Sequence, residues 1–322
     1  MFPEKCNPDY IFTNYQNYRC NGHIINLSVQ AFLFGSSSTA VEDIGNGDSS
    51  GELIEEKEEW RKLGPLGKAH NIAVHSRKTP QRIQHFRTLS AGSLIKKDNS
   101  TRWNSWHGTL ESILRPEIRQ AIDIYIDENP SLEGDRIERH EWKLLEKIKK
   151  ILTAFVIATK ATEGQGDTLT KVLPSIDFLL DQYKKALQEN STNRVLSSMI
   201  RIGWEKLDKY FSATDRAPVY LAAVVLNPKF KWHYFETKWE EGWVVAAKNR
   251  LRNYWLSYLE LTRQRGHGQA QERVGIEEGQ REANNVFEQW MNIAPEAGEG
   301  QDEYNRYCSN AEPEVSVQNP LQ

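Results

Sequence analysis

Apolar side chains recur along most of this chain at intervals of three and four residues, the spacing that lines one face of an α-helix. In Cys20 to Phe34, Ile24, Leu27, Ala31 and Phe34, flanked by Ile25, Val29 and Phe32, predict a helix buried on most of its circumference. Gly35 and the serines after it stop that helix. Ser36 to Ser50 reads as a loop, and Glu52 to Leu63 as a charged helix anchored by Trp60. Pro65 to Leu89 divides into two helices at Thr79-Pro80, with Thr79 as cap and Pro80 in the first turn.

Lys96 to Ser100 reads as a polar loop. It leads into Thr101 to Leu114, TRWNSWHGTLESIL, where Asn104 or Ser105 is placed to cap a helix. Leu110, Ile113, Leu114, Ile118, Ile122 and Tyr125 form an apolar stripe that Pro116 should break or kink. A turn is expected at Glu128 to Gly134 and a strong amphipathic helix over Glu141 to Ala161. Asp167 or Thr168 caps the next, through Leu169 to Leu180, with Pro174 as a kink. Val195 to Phe211 sets Leu196, Ile200, Trp204, Leu207 and Phe211 on one face. Tyr220 to Leu226 belongs to a helix ending near Asn227-Pro228, and Lys238 to Leu261 is long and helical. A strand is plausible at Tyr15 to Cys20, without a partner nearby in sequence.

The pattern therefore predicts a mostly α fold, a multi-helix bundle of about ten helices. Its expected division is 1–23 as a remnant of a larger core, 24–261 as the helical body and 262–322 as mostly disordered tail or linker, with a short helix at Val286 to Met291.

Composition changes this picture in a few places. Ten Trp argue for real packing, because each buries a large apolar area. A formal net charge of −3 means that any nucleic acid contact must rest on a local patch. The most basic stretch is Pro65 to Leu89, with Lys68, Arg77, Lys78, Arg82 and Arg87, three His and no acidic residue. It is either a solvated helix face or a surface that tracks phosphates. Trp103 and Trp106, beside Arg102, are either aromatic core anchors or, for Trp103, a surface that stacks on a base. Cys20 and His23 lack the further two ligands of a structural zinc site, so a local bond at a strand-to-helix corner is the simpler reading. Three scattered Cys make no disulfide framework, and no apolar run is long enough to span a bilayer, so no membrane partner is expected. There is no phosphate-binding glycine loop and no carboxylate pair that singles itself out.

Five stretches in one order carry a resemblance: CNGHIINLSVQAFLF, PLGKAHNIAVHSRKTPQR, TRWNSWHGTLESIL, LTAFVIATKATEG with VLPSIDFLL after it, and PVYLAAVVLNPKFKWHYFE. Together, from about Tyr15 to Tyr307, they resemble transposases of the hobo/Activator/Tam3 (hAT) superfamily, fungal members in particular. The resemblance implies a ribonuclease-H-like core split by an all-helical insertion, to which this bundle corresponds, and nuclear residence. Cys20 and His23 match the Cys-x-x-His motif where core passes into insertion, and Trp103 aligns with a Trp that stacks on a displaced base. Two Asp and one Glu hold divalent metal in such enzymes. Only Asp9 precedes Cys20, outside the expected surroundings, and the segment bearing the Glu is not reached. The expectation is a fragment truncated at both ends, catalytically inactive, with no cofactor of its own and with residual DNA binding through Trp103, Arg102, Lys68, Arg77, Lys78, Arg82 and Arg87. The alternative is a helical protein-interaction module or a non-functional transposon-derived product. Loss of the parent core should also expose apolar surface near Ile24 to Phe34 and Tyr220 to Leu226, favouring self-association.

Overall fold

The computed structural model describes residues 21–35, 53–98, 103–163, 169–215 and 218–265; the expected strand at Tyr15 to Cys20, the helix at Val286 to Met291 and the tail lie outside them. Twelve α-helices and two 3-10 turns make up these residues, with no strand among them. The helices are α1 (Asn21–Phe34), α2 (Leu53–Arg61), α3 (Pro65–Ser76), α4 (Pro80–Leu89), α5 (Trp103–Ile113) and α6 (Pro116–Asp127). There follow α7 (Arg139–Thr162), α8 (Val172–Glu189), α9 (Arg194–Asp215), α10 (Pro218–Val225), α11 (Lys231–Lys238) and α12 (Glu241–Arg265).

Proline and glycine set several of the boundaries. Pro65, Pro80 and Pro116 each occupy the first turn of a helix, where a missing N–H costs nothing. Pro116 therefore starts α6 rather than kinking a longer helix. Thr79 caps α4 as expected, its hydroxyl accepting from the Arg82 N–H at 3.3 Å. Gly35 ends α1 at φ 60°, a conformation that glycine adopts without strain. The expected turn after Glu128 is a 3-10 helix, Pro130–Asp135. Pro174 lies in the first turn of α8, where it breaks no helical hydrogen bond.

The core is one continuous cluster built around α1. Its main partner is α9, with α7 and α5 alongside. Ile24, Ile25, Val29, Phe32, Leu33 and Phe34 are all buried, as are Leu221, Val224 and Val225 of α10. The exposed apolar surface expected at Ile24 to Phe34 is thus covered by the protein's own later helices. Of the second expected surface, Leu226 alone is strongly exposed.

Two details explain how α1 and α9 come so close. Ser28 donates to the Gly203 carbonyl at 2.9 Å and meets the Tyr183 hydroxyl at 3.2 Å. Gly203 has no side chain to hold the helices apart; a Cβ there would lie 2.7 Å from Phe32 Cβ and 2.4 Å from Tyr183 Oη. The buried row on α9 accordingly runs Leu196, Ile200, Gly203, Leu207 and Phe211, and Trp204, expected on that face, is exposed.

Candidate nucleic-acid interface

Trp103 is the first residue of α5, so Asn104 and Ser105 stand inside the helix rather than capping it. Three residues along a helix is most of one turn, so Trp103 and Trp106 share a face. That face is buried: Trp103 is 4% exposed and Trp106 0%. The Trp103 backbone N–H donates to Asn26 Oδ1 of α1 at 3.3 Å. Its ring meets Phe155 of α7 edge-on, with centroids 6.1 Å apart. Trp106 packs edge-on against Phe34 at 5.3 Å and lies 6.1 Å from Trp60. Trp60 in turn stacks on His70 at 3.7 Å, and Asp98 holds His70 Nδ1 at 2.8 Å. Both indoles at the start of α5 therefore sit in the bundle core. Trp103 presents no face for a base in this conformation, against the stacking role expected of it.

The basic residues separate into those used inside the bundle and those left open. Lys68 Nζ reaches both carboxylate oxygens of Glu141 at 2.8 Å and donates to the Arg136 carbonyl at 3.1 Å. Glu141 also accepts from the Glu138 N–H at 2.8 Å, closing the start of α7. Lys68 is therefore a structural tie between α3 and α7. Arg77, though exposed, donates from Nη1 to the Ile95 carbonyl at 2.7 Å. Arg87 is exposed, but five residues beyond Arg82 it points about 140° around α4 and joins a different surface. Arg102 and Cys20 lie outside the described residues, and His23 is exposed in the first turn of α1.

Lys78 and Arg82 do come together, and the helices bring Lys57 of α2 to them. None of the three forms an ion pair among the described residues. Burial holds the Lys57 ammonium below its ordinary pKa; Asp135 pulls the other way, and Arg61, Arg82 and Lys78 each lower it by less. Asp135 is already engaged. Arg61 grips it with Nε at 2.9 Å and Nη2 at 2.8 Å, and Asn71 Nδ2 donates to it at 2.8 Å. This carboxylate hydrogen bond raises the Arg61 pKa.

Beneath the three cations, His75 Nδ1 lies 3.1 Å from the Tyr125 hydroxyl. Burial, then Arg82, Lys57 and Lys78, lower its pKa to about 4. Two unlike groups thus register the same positive field at the corner of α2, α3 and α4. That corner also holds the N-terminus of α4, whose helix dipole adds partial positive charge. Sequence reading missed Lys57 because it stands in ELIEEKEEW, where neighbouring glutamates mask its charge. The fold separates it from that local balance.

No protein-family model, curated protein or solved structure matches the chain. Among the described residues, no three His, Cys, Asp or Glu side chains form a group that could hold a metal ion. None of the described helices is long and apolar enough to cross a membrane.

Proposed function

We propose that the chain is an hAT-type, transposase-like nuclear protein whose helical bundle contacts DNA phosphates without itself transferring strands. The observation that carries the DNA contact is the corner formed by Lys57, Lys78 and Arg82, three cations that form no ion pair among the described residues, where the attraction of Asp135 on Lys57 is shared with Arg61 and Asn71. A phosphate placed there relieves their repulsion, and the counterions released from the duplex drive association. Contacts of this kind position a duplex without reading its sequence. With Trp103 buried, base stacking has no part in the contact.

Titration of a fluorescent duplex of about 20 base pairs between roughly 50 and 200 mM salt tests the proposal. Affinity should fall linearly with salt on logarithmic axes. The double substitution Lys78→Glu, Arg82→Glu should reduce that slope by about 1.8, near 0.9 for each lost phosphate contact. Binding that ignores both salt and the double substitution would sink the DNA reading.

One observation favours a second reading. Burial of both Trp103 and Trp106 suits a helical protein-interaction module, or a non-functional transposon-derived product, in which the indoles serve only as core. On that reading the double substitution changes neither stability nor any DNA association.

A further inference from the structure

Residues 95 and 96 bridge the basic corner to a second group of cations. Arg77, next in sequence to Lys78, donates to the Ile95 carbonyl at 2.7 Å. The following residue, Lys96, has its backbone fastened to α5 on both sides. Its N–H donates to the Ser112 hydroxyl at 2.8 Å, and its carbonyl accepts from the Thr109 hydroxyl at 2.9 Å. Its side chain then crosses α5 over Gly108, where an added Cβ would lie 3.4 Å from Lys96 Cδ, and ends 3.4 Å from Glu111.

Beside Gly108, His107 Nε2 lies 3.3 Å from the Thr153 hydroxyl of α7, which itself donates to the Lys149 carbonyl at 3.0 Å. Lys149, Thr153 and Lys160 point within about 40° of one another around α7. Burial lowers the His107 pKa; Glu111 pulls the other way, and Lys149, Lys96 and Lys160 each lower it by less. His107 thus registers three lysines, as His75 registers the three cations of the corner. Lys96 is matched by Glu111, whereas Lys149 and Lys160 form no ion pair among the described residues. The two lie about 16 Å apart along α7, the rise of roughly five base pairs, so they meet different phosphates. Two cation clusters joined by one fixed segment suit an extended polyanion rather than a single small anion.

We propose that the phosphate contact at the corner continues across residues 95–96 onto the surface of α5 and α7, where Lys149 and Lys160 hold further phosphates of the same duplex. This extension rests on the DNA contact proposed for the corner and turns it from a point into a track. Because the added contacts are to phosphates, they contribute affinity and orientation without sequence preference.

Salt titration of the full chain with the duplex of about 20 base pairs tests the track. Lys149→Glu with Lys160→Glu should lower the logarithmic salt slope by about 1.8, and all four substitutions, with Lys78→Glu and Arg82→Glu, by about 3.6. Lys149→Gln with Lys160→Gln should give the same drop as the Glu pair, since the slope counts lost contacts. The control is Lys143→Glu with Lys147→Glu, exposed on α7 but about 120° and 160° around it from Lys149; its slope should stay near that of the parent chain. A parental slope for both Lys149 and Lys160 pairs, while the corner pair lowers it, would overturn the track and leave the corner contact standing. An equal drop in the control would also overturn it, because net charge alone would then set the affinity. A parent chain that binds no duplex at all would remove the corner contact and the track together.

Discussion

Truncating Trp103 to alanine separates the core reading of this residue from the base-stacking one. The indole is 4% exposed, meets Phe155 edge-on and sits one turn from the buried Trp106. Its removal takes away most of the apolar area of a large side chain and leaves a void between α1, α5 and α7. Such truncations cost about 3–5 kcal/mol, a large share of the roughly 5–15 kcal/mol that holds an ordinary domain together. Trp103→Phe keeps an aromatic ring against Phe155 and should cost about half as much. Urea unfolding followed by circular dichroism gives both values, provided the transition is two-state with unchanged slope. Duplex affinity of each variant, measured where it is fully folded, should equal that of the parent chain. The reasoning is refuted if Trp103→Ala unfolds at the parental urea concentration while duplex affinity falls, for the indole would then spend its energy on nucleic acid.

Three other perturbations probe the same scaffold. Gly203→Ala places a methyl group 2.4 Å from Tyr183 Oη and 2.7 Å from Phe32 Cβ, so α9 must move off α1 at a cost of about 1–3 kcal/mol, visible as a lower melting temperature. Asp135→Ala strips Arg61 and Asn71 of their shared acceptor and should cost about 3–5 kcal/mol in urea unfolding; a loss below about 1 kcal/mol would mean that the network is dispensable. The His75 pKa falls from 6.5 to about 4 on folding, facing Tyr125, Arg82, Lys57 and Lys78, with Asp135 acting the other way. Above pH 6.5 the imidazole is neutral in both states; below it the unfolded chain binds the proton first, so stability drops toward pH 4 and levels off. His75→Gln should flatten that part of the pH profile, and an unchanged profile would count against the cationic corner.

Much of the bundle was legible in the sequence because helical period and helix punctuation are local. Pro65, Thr79-Pro80 and Gly35 mark boundaries that depend on their own backbone chemistry alone. What failed was whatever depends on the partner helix. Spacing alone puts Trp204 in the buried row of α9, but the close approach of α1 needs a residue with no side chain, and Gly203 turns the row one step aside. A shift of two or three residues in the start of α5 had a larger effect. With a cap at Asn104 or Ser105, Trp103 stands outside the helix and is free to face DNA; as the first helical residue it must share the direction of Trp106. The basic span is one run of charge in the sequence, but the fold spreads its members over different surroundings. Lys68 proved to be a tie to α7, Arg87 points elsewhere, and Lys57 arrives from a helix whose glutamates conceal it.

The central place of α1 bears on how the chain is made in the cell. Its Ser28 hydroxyl finds its acceptor on Gly203, 175 residues later. At ribosomal speeds of about 5–20 residues per second, α1 waits roughly 10–35 seconds for the helix that covers it. Throughout that interval the side of α1 that meets α9 is left without its main partner. Apolar surface exposed for that long is prone to aggregate, so the yield of folded protein should fall as synthesis slows between α1 and α9.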